Sequence, residues 1–142
     1  MNVNIDIAVS RRKNAELSGG IANSSIYNAV LKALAENGAC GRVLDFGAGT
    51  GTLTRMLEST GIFSEVHAVD LLEWVAGESR KIYWHRADLN LPTEFQSAWF
   101  DTIVSSEVIE HLENPRAVAR ELARLLRSGG FLEHFSIRLG VS

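Results

Sequence analysis

The chain has 142 residues, 46% hydrophobic and 22% charged, with a formal net charge of −3. That balance fits one ordinary globular domain with enough apolar mass for a real core. It excludes bulk attraction to nucleic acid or anionic membranes, and no stretch approaches the roughly 20 apolar residues a bilayer span requires. The single cysteine, Cys40, excludes an internal disulfide and reads as a small core residue ahead of a buried strand. The N-terminal MNVNIDIAVSRRK lacks a leader pattern, so a cytoplasmic protein is the default.

Residues 1–20 read as a polar arm ending at Ser18-Gly19-Gly20, with a short helix over Arg11–Leu17 and a solvated basic triplet, Arg11-Arg12-Lys13. Residues 21–142 read as the core. Asn23 or Ser24 caps a helix running to about Glu36, with Ile26, Val30, Leu31 and Leu34 on one stripe. Arg42–Phe46 is a strand, Gly51–Ser59 a helix carrying Leu53, Met56 and Leu57, and Glu65–Leu71 a second strand. Only 11 residues then separate Asp70 from Ile82, so Glu73–Ser79 supplies barely two helical turns. Lys81–Ala87 and Phe100–Ser105 are the third and fourth strands.

Asn114-Pro115 starts a helix that buries Val118, Leu122, Leu125 and Leu126 and presents Arg116, Arg120 and Arg124 to solvent. Ser128-Gly129-Gly130 stops it, and Phe131–Ile137 is a fifth strand. Alternating strands and helices imply a parallel sheet covered on both faces, with ligands beyond the carboxyl ends of the strands. Every motif with chemistry falls at such an end.

Gly47-Ala48-Gly49-Thr50-Gly51 lets backbone pass close to a ligand. Its GxGxG spacing places Thr52 where a dinucleotide fingerprint has its third glycine, which disfavours an NAD-dependent oxidoreductase. Asp45, two residues ahead of the turn, suits a cationic ligand better than a pyrophosphate. Asp70, 23 residues after Gly47, can accept from both hydroxyls of a ribose or can cap a helix. Asp88 can accept from an exocyclic adenine amine with Leu89 against the ring, or can be a plain turn residue. His67 and His85, inside strands, read as structural.

The segments VLDFGAGTG, HAVDL, RADLNLP, FDTIVSSEVIEHLENP and ELARLLRSGGFL follow one another over residues 40–132. Together they resemble class I S-adenosylmethionine-dependent methyltransferases, and most closely the small-molecule group called type 11. The resemblance implies an α/β fold, a three-layer Rossmann-like parallel sheet of about five strands in the order 3-2-1-4-5. It implies S-adenosylmethionine as cofactor, S-adenosylhomocysteine as product and a small-molecule acceptor. Gly47, Ala48 and Gly49 would then lie against the methionyl part and adenosine, with Asp45 near the amino-acid end. Asp70 and Leu71 would hold the ribose, and Asp88 and Leu89 the adenine. Ser105 and Ser106 would line the methionyl group and face the acceptor.

Glu107, Glu110 and His111 form an ExxEH segment similar to the metal-binding segment of ubiquinone-pathway O-methyltransferases and small-RNA terminal 2′-O-methyltransferases. Many type 11 members carry an EHL segment without metal. The metal-free reading is the favoured one, and it leaves His111 or Glu107 as the candidate general base.

The chain ends at Ser142, just after the fifth strand, whereas the resembled family continues through more of its seven-stranded sheet. Glu133 and His134 stand where a central strand would be apolar, which an edge strand tolerates. A truncated form, or an edge covered by a second copy or another subunit, is therefore expected. The alternative to an enzyme is a cofactor-binding module without a complete acceptor site. Neither a membrane nor nucleic acid is expected as a partner.

Overall fold

A computed structural model describes residues 21–72, 81–106 and 112–135. Five β-rich runs pair there in one parallel sheet of order β3-β2-β1-β4-β5, the Rossmann-like arrangement expected. In chain order the elements are α1 (Ile21–Glu36), β1 (Gly41–Phe46), α2 (Thr52–Ser59), β2 (Phe63–Asp70), β3 (Ile82–Arg86), β4 (Phe100–Ser106), α3 (Pro115–Leu125) and β5 (Leu126–Phe135). The strand order reverses between β1 and β4, so a crevice opens at their carboxyl ends. The short N-terminal helix expected over Arg11–Leu17, and the helical turns expected over Glu73–Ser79, lie outside the described residues.

Alternation along the strands sends side chains to two cores. Val43, Val66, Ala68 and Val104 meet Val30 and Leu34 of α1 and Leu53 and Leu57 of α2. Leu44, Phe46, Val69 and Ile103 meet Val118, Leu122 and Leu125 of α3 on the opposite face. Asn114 caps α3 as expected, its side chain accepting from the Ala117 amide, with Pro115 at the helix start.

Four details differ from expectation. Helix α1 starts at Ile21, ahead of Asn23 and Ser24. Cys40 is exposed, because Ala39 takes the buried position before β1. Helix α3 ends at Leu125 and the chain turns directly into β5, Leu126 being extended at φ −80° and ψ 130°. Leu126 pairs with Phe100 and Phe131 with Thr102, so Ser128-Gly129-Gly130 is absorbed as an irregularity within the strand instead of stopping a helix.

The fourth is Arg124, which is a clamp rather than a solvated residue. It donates to both carboxylate oxygens of Glu121 (2.6 and 2.8 Å), to the Phe95 carbonyl (2.9 Å) and to the Ser97 hydroxyl (3.1 Å). Glu121 in turn accepts from the Thr93 amide (2.6 Å) and hydroxyl (2.7 Å). The pair staples the β3–β4 connection onto α3. Arg124 first, and then Thr93, hold the Glu121 carboxyl down at about 2, despite the opposing effect of burial. Because the folded value lies below the ordinary 4.5, this stabilisation is present above pH 4.5 and is lost as pH falls toward 2. Glu121→Ala is expected to cost about 2–3 kcal/mol at pH 7 and to flatten that acid dependence, as urea melts at pH 7 and pH 3 will show.

Gly41 opens β1 at φ +77°, and a β-carbon there would overlap the Asp101 carboxylate. That carboxylate accepts from the Arg42 amide at 2.7 Å and pairs with Arg127, so it has little freedom to move. Gly41→Ala is expected to destabilise by about 2–4 kcal/mol in thermal or urea melts, combining left-handed strain with overpacking.

Candidate functional site

The glycine turn between β1 and α2 is the centre of the site. Gly47, Gly49 and Gly51 all take positive φ (84°, 58° and 87°), which is why the turn needs glycines. The Gly47 and Ala48 amides both donate to the Val69 carbonyl, at 2.8 and 3.1 Å, pinning the turn to the end of β2. Gly51 also occupies the cap position of α2 and makes no side-chain cap bond. A β-carbon at Gly49 would meet nothing within 4 Å. The backbone there borders open space, as a cradle for a ligand would.

Asp70, the last residue of β2, reaches across to this turn. One carboxylate oxygen accepts from the Gly49 amide at 2.8 Å and the other from the Leu72 amide at 3.0 Å. The second bond is a local turn contact at the end of β2. Leu71, next in the chain, is an exposed apolar side chain, 57% accessible.

Asp45 lies beneath the turn and is fully buried. Its Oδ2 accepts from the Thr54 hydroxyl of α2 at 2.7 Å, while Oδ1 has no partner among the described residues. Burial raises its carboxyl to about 7; the Thr54 bond opposes this, and the nearby Asp70 charge adds to it. A buried acid with one unsatisfied oxygen is costly unless a donor or cation completes it. Thr54 is the site residue that sequence reasoning missed. The available signal was a threonine on the same inward helical stripe as Leu53 and Leu57.

Ser105, near the end of β4, is buried beside β1 in register with Phe46, and its hydroxyl also lacks a partner among the described residues. Its carbonyl accepts from Nδ1 of His134 at 3.2 Å. Ser106 is the last residue of β4. On the far side, the Ala87 amide donates to the Asp70 carbonyl at 3.0 Å, which brings Asp88 to the same end of the sheet. The Asp88 carboxylate accepts from the Asn90 amide (3.0 Å) and side chain (3.2 Å), the geometry of a turn residue. Leu89 is 8% exposed and packs in the α3-side core.

The structure thus joins the glycine turn to Asp70 by a direct bond, with Asp45 bonded to Thr54 beneath them and Ser105 and Asp88 at the ends of neighbouring strands. Glu107, Glu110 and His111 lie outside the described residues. Among the described residues no group of three or more His, Cys, Asp or Glu side chains is arranged to hold a metal. No described helix is long and apolar enough to cross a membrane.

β5 is the edge of the described sheet, as expected for a strand carrying Glu133 and His134, and Glu133 is nonetheless buried, 2% exposed. Its register with Val104 turns it to the face of the sheet that Asp45 also occupies. Burial raises its carboxyl above the ordinary value.

Comparison with known proteins bears on the same residues. The sequence profile of a methyltransferase domain matches residues 21–138. Ubiquinone biosynthesis O-methyltransferase of Aromatoleum aromaticum is 30% identical over 97 residues, covering 63% of this chain and 41% of that protein. Demethylmenaquinone methyltransferase of Corynebacterium urealyticum is 37% identical over 92 residues, covering 64% of this chain and 39% of that protein. The chain therefore spans about two fifths of the length of these curated relatives. A solved candidate S-adenosyl-L-methionine-dependent methyltransferase from Methanococcus maripaludis shares the fold, with a TM-score of 0.70 over 86% of this chain and 61% of that one, at 22% identity. With the profile covering most of its length, the chain belongs to the methyltransferase-domain family.

Proposed function

We propose that this chain binds S-adenosylmethionine in the crevice above β1 and β2, and that the protein transfers its methyl group to a small-molecule acceptor, as type 11 methyltransferases do. The observation that carries the reading is the open space beside Gly49, next to the carboxylate of Asp70, together with the buried Asp45 whose Oδ1 is unsatisfied among the described residues. Two acids and a bare glycine backbone suit a cationic nucleoside better than a pyrophosphate.

When bound, S-adenosylmethionine supplies an electrophilic sulfonium methyl. Gly47, Ala48 and Gly49 accommodate the methionyl and adenosine parts by presenting backbone and, at Ala48, a single methyl. Asp45 places negative charge at the amino-acid end. Asp70 and Leu71 hold the ribose, and Asp88 and Leu89 the adenine. Ser105 and Ser106 border the methionyl group and the acceptor. The residues contribute alignment and exclusion of water more than covalent chemistry. His111 or Glu107 is the candidate base that takes the acceptor proton, and a divalent ion at Glu107, Glu110 and His111 is the less favoured alternative. The names of the related proteins favour a quinone-type acceptor. A cytoplasmic location fits this chemistry.

The test is release of S-adenosylhomocysteine by the chain with a panel of hydroxylated aromatic acceptors, with and without EDTA. Turnover supports the proposal. Binding without turnover across the panel would leave the chain as a cofactor-binding module, and an EDTA-sensitive rate would restore the metal.

A further inference from the structure

A cavity of about 780 Å³ lies on the α3 side of β3, beneath the connection from Leu91 to Gln96. His85, Leu91, Pro92, Phe95 and Trp99 are among its walls, and Arg86, Asp88 and Glu94 contribute charges of both signs. Of the residues assigned to the cofactor, Asp88 lines it, whereas Asp45, the glycine turn and Asp70 do not. Its size is that of an ordinary small-molecule pocket.

One wall is chemically prepared. Glu65 is paired with Arg42, and so is held as a carboxylate that can only accept. It lies 3.2 Å from Nε2 of His67, which must therefore carry a proton and donate. His67 is 3% exposed, and burial, acting first, holds its imidazole below the ordinary value, so near neutral pH the ring is uncharged. Its Nδ1 is then a bare acceptor, and it lies 3.0 Å from Nε2 of His85. His85 must donate there, which leaves its own Nδ1 as an acceptor on a ring that lines the cavity. The chain Arg42–Glu65–His67–His85 thus fixes both tautomers.

Aromatic packing fixes the rings as well. Tyr83 stacks on His67 with centroids 4.7 Å apart, and Phe95 meets His85 edge-on, also at 4.7 Å. Arg42 sits 4.2 Å over the Trp99 ring, tying the cavity wall back to the start of the relay. A purely structural histidine pair would need neither a fixed acceptor nor an aromatic cavity beside it.

We infer that this cavity binds a small, neutral, planar aromatic molecule bearing a hydroxyl group, with the hydroxyl donating to Nδ1 of His85 and the ring packing against Phe95 and Trp99. The cavity adjoins the cofactor crevice and shares Asp88 with it. Both charge signs at the rim disfavour a strongly ionic ligand, and the aromatic walls favour a flat one.

The experiment titrates the chain with 2-naphthol and with 2-methoxynaphthalene, which has the same rings without the donor. Histidine ¹⁵N resonances and tryptophan fluorescence report binding. The inference expects saturable 2-naphthol binding that shifts the His85 Nδ1 resonance, with the methyl ether about fivefold to tenfold weaker, the worth of one hydrogen bond. His85→Phe should bring 2-naphthol down to the level of the ether. Equal affinity for the two probes, or no saturable binding, would overturn the inference. The two-probe comparison uses the unaltered protein, so a poorly folding variant does not rescue or sink the result. Loss of S-adenosylhomocysteine binding itself would count against the proposed function and leave this site standing.

Discussion

Gly49→Ala is expected to weaken S-adenosylmethionine binding about ten- to hundredfold while costing only about 1–2 kcal/mol of stability. The two effects separate because of what surrounds the position. A β-carbon at Gly49 meets no protein atom within 4 Å, so the stability loss is limited to the left-handed strain of a residue at φ +58°. The same methyl projects into space that the proposal assigns to the cofactor, where overpacking costs about 1–3 kcal/mol of affinity. Gly41 provides the opposite case, since there the added carbon meets the Asp101 carboxylate and the loss falls on folding. Calorimetric titration alongside urea melts of both variants will distinguish a ligand cradle from an ordinary tight turn. Equal loss of stability and affinity at Gly49 would favour the tight turn.

Asp45→Asn is expected to move stability and affinity in opposite directions. The carboxyl is raised to about 7 in the folded chain against 3.8 for the ordinary group. A folded value above the unfolded one means that stability is fully present below about pH 4 and is lost as pH rises toward and through 7. At pH 8 the folded chain therefore carries a buried, half-satisfied charge. The amide keeps an oxygen to accept the Thr54 hydroxyl and removes the charge, so the unliganded variant should be more stable at pH 8 by about 1–3 kcal/mol. Affinity for S-adenosylmethionine should fall about tenfold or more, because a cationic ligand gains most from the ionised acid. Binding by the unaltered chain should strengthen as pH rises through about 7, and the variant should lose that contribution. Calorimetry between pH 6 and pH 8 checks both statements. A variant that binds as tightly as the parent would remove Asp45 from the site.

The sheet was legible because β-branched and aromatic runs such as Phe100–Ser106 are short, apolar and bounded by turn residues. The start of α3 was legible because Asn114 and Pro115 act within one turn of the helix. Its end was not. Gly129-Gly130 is a strong stop signal, but pairing of Leu126 with Phe100 claims the chain earlier and leaves the glycines to an irregular stretch of β5. Arg124 follows the same logic, since its helical spacing with Arg116 and Arg120 says nothing of Phe95 and Ser97, nearly thirty residues away in the chain.

In the site, the turn and its acids were readable from spacing, because residue type alone limits what can occupy a left-handed bend or end a buried strand. The bond from Gly49 to Asp70 joins residues 21 apart, and that from His67 to His85 residues 18 apart; only the parallel pairing of β1, β2 and β3 brings them together. Periodicity reports one element at a time and cannot show such pairs. Cys40 illustrates the limit over a single residue: the buried place before β1 exists, but Ala39 fills it.

The central claim is that the crevice at Asp45, Gly49 and Asp70 holds S-adenosylmethionine. Isothermal titration of the chain with S-adenosylmethionine, S-adenosylhomocysteine and NAD tests it most directly. The account predicts saturable one-site binding of the first two and none of comparable strength for NAD. No saturable heat with either sulfur nucleoside, or tighter binding of NAD, would contradict it.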